Sequence, residues 1–372
     1  MRELVALLRG GQAASQTRER SASMEQKELF EKSFAEFCGT TFAVAVSTGT
    51  VALDLSIETL DLPPGGVVIA ANYGHPSTVC RAAQSHRLLL LDVAPGTLCL
   101  SPKELAEALS RDDLRCVITT HFAGQPGGIE HISALCRDAG VPLIEDASHA
   151  HGAAVRGRRA GSFGVAGCFS LHATKNLSSG EGGIITTSDE NYFLNLWRRH
   201  DIGRNPHSKP YDFVALGSNY RMAEANALLA RHQLPLLESQ NAQRMAAADS
   251  LRRQMPADSP LELLELEPGV ELHGFHLLVA RYRPEYCSGL SRGRFILALC
   301  AEGILCDAGW PTLLSDIEAL KPFTMPHQTP VAASAIKDTV YLDQRLLLEA
   351  KGVEQILEAV AKVKALADTI RR

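Results

Sequence analysis

No C-x-x-C pair occurs among the nine cysteines, which stand at positions 38, 80, 99, 116, 136, 168, 287, 300 and 306 of 372 residues. They are scattered, odd in number and set mostly in apolar stretches such as "CVITT" and "ALCAEG". That argues against a disulfide framework or a zinc motif, and for reduced, mostly buried thiols in a cytoplasmic protein. No apolar run approaches 18 residues. The early "LVALL" is too short for a signal segment or a membrane helix. A basic run with interleaved aromatics is also missing. With a net charge of -5, neither nucleic acid nor an anionic membrane is expected as a partner. Neither G-x-x-x-x-G-K-[ST] nor G-x-G-x-x-G is present, which removes the nucleotide P-loop and the nicotinamide dinucleotide turn. No internal repeat is visible. The composition, 45% hydrophobic and 21% charged, is that of a soluble globular protein. The length suits a large domain plus a smaller one.

From about residue 67 short apolar runs alternate with helical patterns. "GVVIAA", "RLLLLDV", "RCVITTHF" and "VPLIEDA" read as strands, with "HPSTVCRAAQS", "SPKELAEALS" and "GIEHISALCRDAG" as the helices between them. Nearly continuous apolar strands joined by helices predict an α/β fold, a mainly parallel sheet covered on both faces. Ser101 as N-cap with Pro102 at the first helical position marks one sharp helix start. Upstream, Leu29, Phe30, Phe34 and Phe37 recur at helical spacing until Gly39. Later, "GVAGCFSL" and "GGIITTS" predict two strands, and "DENYFLNLWRRH" a helix. A long helix runs from about Met222 to Met255 with a kink or break at Pro235. "MPADSPLELLELEPG" reads as a boundary. Residues 1–255 form a lead-in and a large domain, and 256–372 a small α+β domain.

Three stretches could carry chemistry. In "STGTVAL", Ser47 to Leu53, a glycine between hydroxyls stands at a helix entrance, which is a ready anion site. The plainer reading is a helix capped by Thr48 or Thr50. In "PLIEDASHAHGA" a strand ends in Glu145–Asp146, with His149 and His151 just beyond. Ligands of open α/β sheets bind at such strand ends, and an aspartate there can hold a protonated ring nitrogen. The alternatives are a helix N-cap and a D-x-x-H-x-H metal site. In "FSLHATKNLSSGEGG", Lys175 lies between a strand and a glycine-rich turn. It could be a surface charge, a phosphate clamp or a Schiff-base nucleophile. Together the three fit pyridoxal-phosphate chemistry. That cofactor needs an anion cup, a carboxylate under its pyridine nitrogen and a lysine at its aldehyde carbon.

The motifs "VSTGTVAL", "HFAGQPGGIEHI", "IEDASHAHGA", "GRRAGSFGVAGCFSLHATKNLSSGEGG" and "SNYRMAEANA" come in that order. In this the chain resembles the DegT/DnrJ/EryC1/StrS family, sugar and cyclitol aminotransferases of pyridoxal-phosphate fold type I. The likeness is densest from Ala43 to Arg221 and thin beyond about 256. It implies Lys175 as the Schiff-base lysine and Asp146 as the carboxylate on the pyridine nitrogen. It implies Gly49, Thr50 and the Val51 N–H as the phosphate loop, with Ser170 as the phosphate serine. Asn219 would reach the phosphate of a neighbouring subunit, hence a homodimer with shared sites. His149 stands where the family often has a glutamine at the cofactor's phenolic oxygen. His75 stands where an aromatic ring stacks on the cofactor, with Tyr73 as the alternative.

The resemblance also implies the reaction. An amino acid, glutamate or glutamine, would give its nitrogen to the ketone of a nucleotide-linked sugar. An aminocyclitol or amino-shikimate-type acceptor is the second reading, and a non-catalytic regulatory protein of the same fold the third. A related subgroup has histidine in place of the lysine and performs dehydration, so Lys175 favours amino transfer. His172, His200, His207 and Arg221 are candidate substrate contacts, each with a structural role as the alternative.

Overall fold

A computed structural model describes residues 25–206 and 211–371. Its centre is a seven-stranded sheet of order β1-β9-β8-β5-β4-β2-β3. The strands are β1 (Phe42–Val46), β2 (Val67–Ala71), β3 (Arg87–Leu91), β4 (Leu114–Thr120), β5 (Leu143–Asp146), β8 (Ala166–Ser170) and β9 (Gly183–Thr187). From β3 to β8 every pairing is parallel, and β9 runs antiparallel to both neighbours, β8 and β1. Every residue of β2, β5 and β9 is buried. This is the physical meaning of their unbroken apolar sequence, because helices cover both faces.

Those helices are α1 (Gln26–Cys38), α2 (Gly49–Thr59), α3 (Ser77–Ala83), α4 (Pro102–Ala108), α5 (Ile129–Asp138) and α6 (Glu190–His200). Their caps follow the sequence. Thr48, rather than Thr50, caps α2 by accepting from the Val51 N–H at 3.1 Å, and Ser101 caps α4 with Pro102 at its first turn. Gly39 ends α1 in the left-handed region at φ 71°.

The long helix α7 (Glu224–Gln254) passes through Pro235 as one element of 31 residues. The expected break does not occur. Leu234 and Leu237 lie on either side of the proline, buried in one cluster with Phe30 and Phe34 of α1. Packing along both halves outweighs the one backbone hydrogen bond that proline removes.

Beyond residue 256 a second, antiparallel sheet has the order β10-β12-β14-β13. Its strands are β10 (Leu261–Leu263), β12 (Leu277–Tyr282), β13 (Cys306–Asp307) and β14 (Thr339–Asp343). Helices α8 (Arg292–Ala301) and α10 (Gly352–Ala365) pack on it through Phe295, Leu299, Ile356 and Val360. The C-terminal residues also reach back. Ala332 and Ala335, on α9 (Pro330–Asp338), join Tyr73, Leu91 and Val67 in one core cluster, as does Tyr341 of β14. A small third sheet pairs β11 (Val270–Leu272) with β6 (Ala154–Val155), and β6 with β7 (Arg158–Arg159). Among the described residues no helix is long and apolar enough to cross a membrane.

Candidate active site

Because β2, β4, β5 and β8 are parallel, their carboxyl ends share one edge of the sheet. A cavity of about 720 Å³ opens there. Its wall takes Thr120 from the end of β4, Asp146 from the end of β5 and Ser170 from the end of β8. The first residues of α2, the segment after β2 and the turn holding Lys175 complete the inner wall. Asp307 at the end of β13, Gly309 and Trp310 just after it, and Tyr341 of β14 close the opposite side.

The start of α2 is pressed against the strands. A Cβ on Gly49 would lie 2.5 Å from the Ser170 Cβ and 2.8 Å from its Cα, and one on Gly183 would lie 2.3 Å from the Thr48 carbonyl oxygen. Both glycines permit a close approach that no other residue allows. The result sets the Ser170 hydroxyl beside the first N–H groups of α2, which have no partner within the helix. That is an anion cradle built from backbone donors, a hydroxyl and the positive end of a helix. Gly49→Ala will force α2 off β8. We expect a stability loss of about 1–3 kcal/mol and a clear loss of cofactor affinity, read by thermal unfolding and cofactor titration. Val51 is not part of the cavity wall, and its N–H donates to the Thr48 cap.

The two adjacent carboxylates of β5 have different environments. Glu145 is wholly buried and accepts from His121 Nε2 and from the N–H groups of Gly161, Phe163 and Gly164, all within 2.8 Å. It is saturated and holds the chain together. Asp146 accepts from the Thr78 hydroxyl at 2.7 Å and the Ser148 N–H at 3.2 Å, and faces the cavity. The N-cap alternative therefore describes a local bond of Asp146 without exhausting its capacity.

Lys175 is half-buried in the turn between β8 and β9. The turn is fixed from α7: Gln233 donates to the Ser178 carbonyl at 2.7 Å, and Asn226 donates to the carbonyls of Ser179 and Glu181. The Asn176 amide donates to the Gly274 carbonyl. Burial pulls the Lys175 pKa down to about 8, opposed by the charge of Asp146. A surface lysine would have no such shift.

His149 lines the cavity, with its Nδ1 buried and unpartnered. Burial first, then the Lys175 charge, holds it well below the usual imidazole range, so it is neutral. His151 turns the other way, onto Phe169, and burial lowers it to about 3. This separates the D-x-x-H-x-H residues, and among the described residues no group of His, Cys, Asp and Glu could hold a metal ion. His75 is exposed at the mouth, bonded through Nδ1 to the Ser77 hydroxyl at 2.7 Å, with its ring 5.6 Å from that of Trp310. Tyr73 cannot take its place. It is buried away from the cavity, its hydroxyl 2.7 Å from that of Tyr341.

Of the other candidates, His172 lines the wall. His200 is buried against the Trp197 carbonyl, and Arg221 is ion-paired with Asp201, so both serve the fold. His207 lies outside the described residues. Asn219 is exposed, bridged to Asp201, and not part of this cavity's wall.

The sequence reading did not single out Thr78, Trp310 or His276. His276 Nε2 lies 3.4 Å from Lys175 Nζ, and its ring packs on His149 at 4.3 Å. It is 101 residues from the lysine in sequence, and no local pattern marks it. The cradle, Asp146 and Lys175 thus face one space, and they fit a ligand with a phosphate, a basic ring nitrogen and a carbonyl.

Comparison with known proteins agrees. The profile of the DegT/DnrJ/EryC1/StrS aminotransferase family matches residues 12–361. A 3-amino-5-hydroxybenzoic acid synthase superposes with a TM-score of 0.84 at 25% identity, over 97% of this chain and 96% of that one. An aminotransferase from Psychrobacter cryohalolentis gives 0.83 at 26%, over 98% and 96%. The same fold is seen in the GDP-4-keto-6-deoxymannose-3-dehydratase ColD, at 0.83 and 21% over 96% of both chains.

Proposed function

The chain belongs to the DegT/DnrJ/EryC1/StrS aminotransferase family, whose members depend on pyridoxal phosphate, and from that premise we propose that it carries an amino group from glutamate or glutamine to the ketone of a nucleotide-linked sugar. The observation behind this is the meeting of Lys175, Asp146, Ser170 and the α2 N-terminus in one cavity. Pyridoxal phosphate, when bound, supplies the electron sink for charge developing at the substrate carbon. The N–H groups of Gly49 and Thr50, with the Ser170 hydroxyl, would hold its phosphate. Asp146 would keep the proton on its ring nitrogen. His149 would offer a neutral imidazole to its phenolic oxygen, and His75 would serve as the stacking ring.

Lys175 would hold the cofactor at its aldehyde carbon, and its free amine would move the proton at the substrate carbon. A pKa of about 8 leaves a neutral amine fraction near pH 7 that an ordinary lysine would lack. A second acceptor class, a keto-cyclitol, has its own support. Among the described residues of the wall, Lys175 is the one lysine or arginine, whereas Glu181 and Asp307 offer carboxylates. Carboxylates suit ring hydroxyls better than a diphosphate.

A second copy of the chain completes the site in this proposal. Asn219 follows a loop segment that exposes Tyr211 at 82%, Phe213 at 50% and Leu216 at 92%, an apolar surface that a subunit interface would cover. The free thiols suit a cytoplasmic setting.

The test is spectroscopic. Glutamate or glutamine should bleach the visible cofactor band of the purified yellow protein, and the right ketone should restore it. A panel of keto-sugar nucleotides and keto-cyclitols then names the acceptor. A band that no amino donor bleaches would leave the regulatory reading standing.

A further inference from the structure

His276 has no part in the chemistry so far, yet it stands within hydrogen-bonding distance of the Lys175 amine. It immediately precedes β12, in the C-terminal part of the chain, and enters the cavity beside the lysine. Three observations bear on it. Its Nε2 lies 3.4 Å from Lys175 Nζ. Its ring packs on the His149 ring with centroids 4.3 Å apart, which fixes the imidazole plane. Its other nitrogen, Nδ1, is buried and without a partner.

The surroundings keep this imidazole neutral. Burial holds it well below the usual histidine range, and the charges of Lys175 and Arg244 push the same way. The groups that face the lysine are Asp146 at the end of β5, His149 beyond it, His75 after β2, His172 in its own turn and His276 before β12. Asp146 belongs to the ring nitrogen, and His149 to the phenolic oxygen. His276 alone among these stands within hydrogen-bonding reach of the amine with no other ligand to serve.

We propose that His276 is the positioning residue for the released Lys175 amine, its neutral Nε2 accepting an N–H of the lysine and holding Nζ beside the substrate carbon between proton transfers. The inference rests on the transaminase reading. It extends that reading by giving the lysine a fixed waiting place, supplied by the C-terminal part of the chain. A long, flexible side chain that must act twice per cycle gains from such a place, because orientation lost at each release would have to be recovered. An acceptor for the ammonium form would also favour that form, so in this proposal its removal should lower the pH at which Lys175 loses its proton.

His276→Phe keeps the ring stacked on His149 and removes the acceptor, whereas His276→Gln restores an oxygen acceptor near the Nε2 position. Both variants are purified with cofactor bound and treated with amino donor, which frees Lys175 while the cofactor stays in place. Two quantities are read. The first is the limiting rate of bleaching against donor concentration. The second is the pH dependence of Lys175 labelling by an amine reagent, followed by peptide mass spectrometry.

For His276→Phe we expect normal cofactor loading, a limiting rate about tenfold lower with half-saturating donor little changed, and a labelling midpoint lower by about half to one pH unit. His276→Gln should recover most of both. Unchanged rate and midpoint in the Phe variant overturn the proposal. So does a Gln variant as impaired as the Phe variant, since the ring alone would then matter. If the wild-type band is not bleached by any donor, the transaminase reading fails first, before the variants are compared.

Discussion

Lys175→Ala will yield a protein that folds and still takes up cofactor, yet lacks the visible band of the lysine-bound form and has lost transfer activity by about four orders of magnitude. On the proposed reading two functions would disappear with one amine: the covalent hold on the aldehyde carbon and the proton carrier at the substrate carbon. The residual binding follows from the geometry. The proposed phosphate cradle of Gly49, Thr50 and Ser170 lies in the same cavity wall, and none of its groups belongs to the lysine side chain. The turn itself is held by Gln233 and Asn226 from α7, so truncation at Lys175 leaves its path intact. Absorbance of the purified variant, beside its phosphate content, checks the claim. A band identical to that of the wild type would remove Lys175 from its role.

Asp146→Asn should have the second largest effect, a fall in kcat of about 10²–10³ with loading reduced far less. The amide can keep both local contacts, its Oδ1 accepting from the Ser148 N–H and its Nδ2 donating to the Thr78 hydroxyl oxygen where the carboxylate had accepted. What is lost is the negative charge that keeps a proton on the ring nitrogen, and with it the stabilisation of charge at the reacting carbon. The comparison with Glu145→Gln separates chemistry from folding. Glu145 meets four donors in the protein interior, and its amide would bring N–H against N–H. That substitution should lower the melting temperature, whereas Asp146→Asn should lower kcat at nearly unchanged melting temperature. Equal kcat in Asp146→Asn and the wild type would contradict the assignment.

The sheet was legible because its strands are buried on both faces, which writes an unbroken apolar run into the sequence. Lys175, Asp146 and the α2 cradle were legible for a different reason. Each sits at a strand end or helix start that local residues define, so three short motifs were enough to suggest one site. Residues whose role depends on distant packing left no such trace. His276 reaches Lys175 only because the chain beyond 256 folds back over the strand ends. Trp310 and Tyr341 enter the cavity for the same reason. Tyr73 and His75 are two residues apart, and only the direction of the chain after β2 decides which one faces the cavity. Pro235 misled in the opposite sense: a strong local signal gave way to apolar contacts along both sides of α7. The Val51 N–H, expected in the phosphate loop from its place in the motif, donates to the Thr48 cap, a local bond that the motif does not show.

The contact of Gly49 with Ser170, and of Gly183 with Thr48, has a mechanical consequence. The anion cradle is not a pocket beside the lysine hairpin; it is the seam along which α2 is joined to the base of both hairpin strands. A phosphate seated there bridges the seam as a rivet bridges two plates, so occupancy and rigidity rise together. Loss of cofactor should therefore lower the thermal stability of the platform that carries Lys175, read by thermal unfolding with and without cofactor.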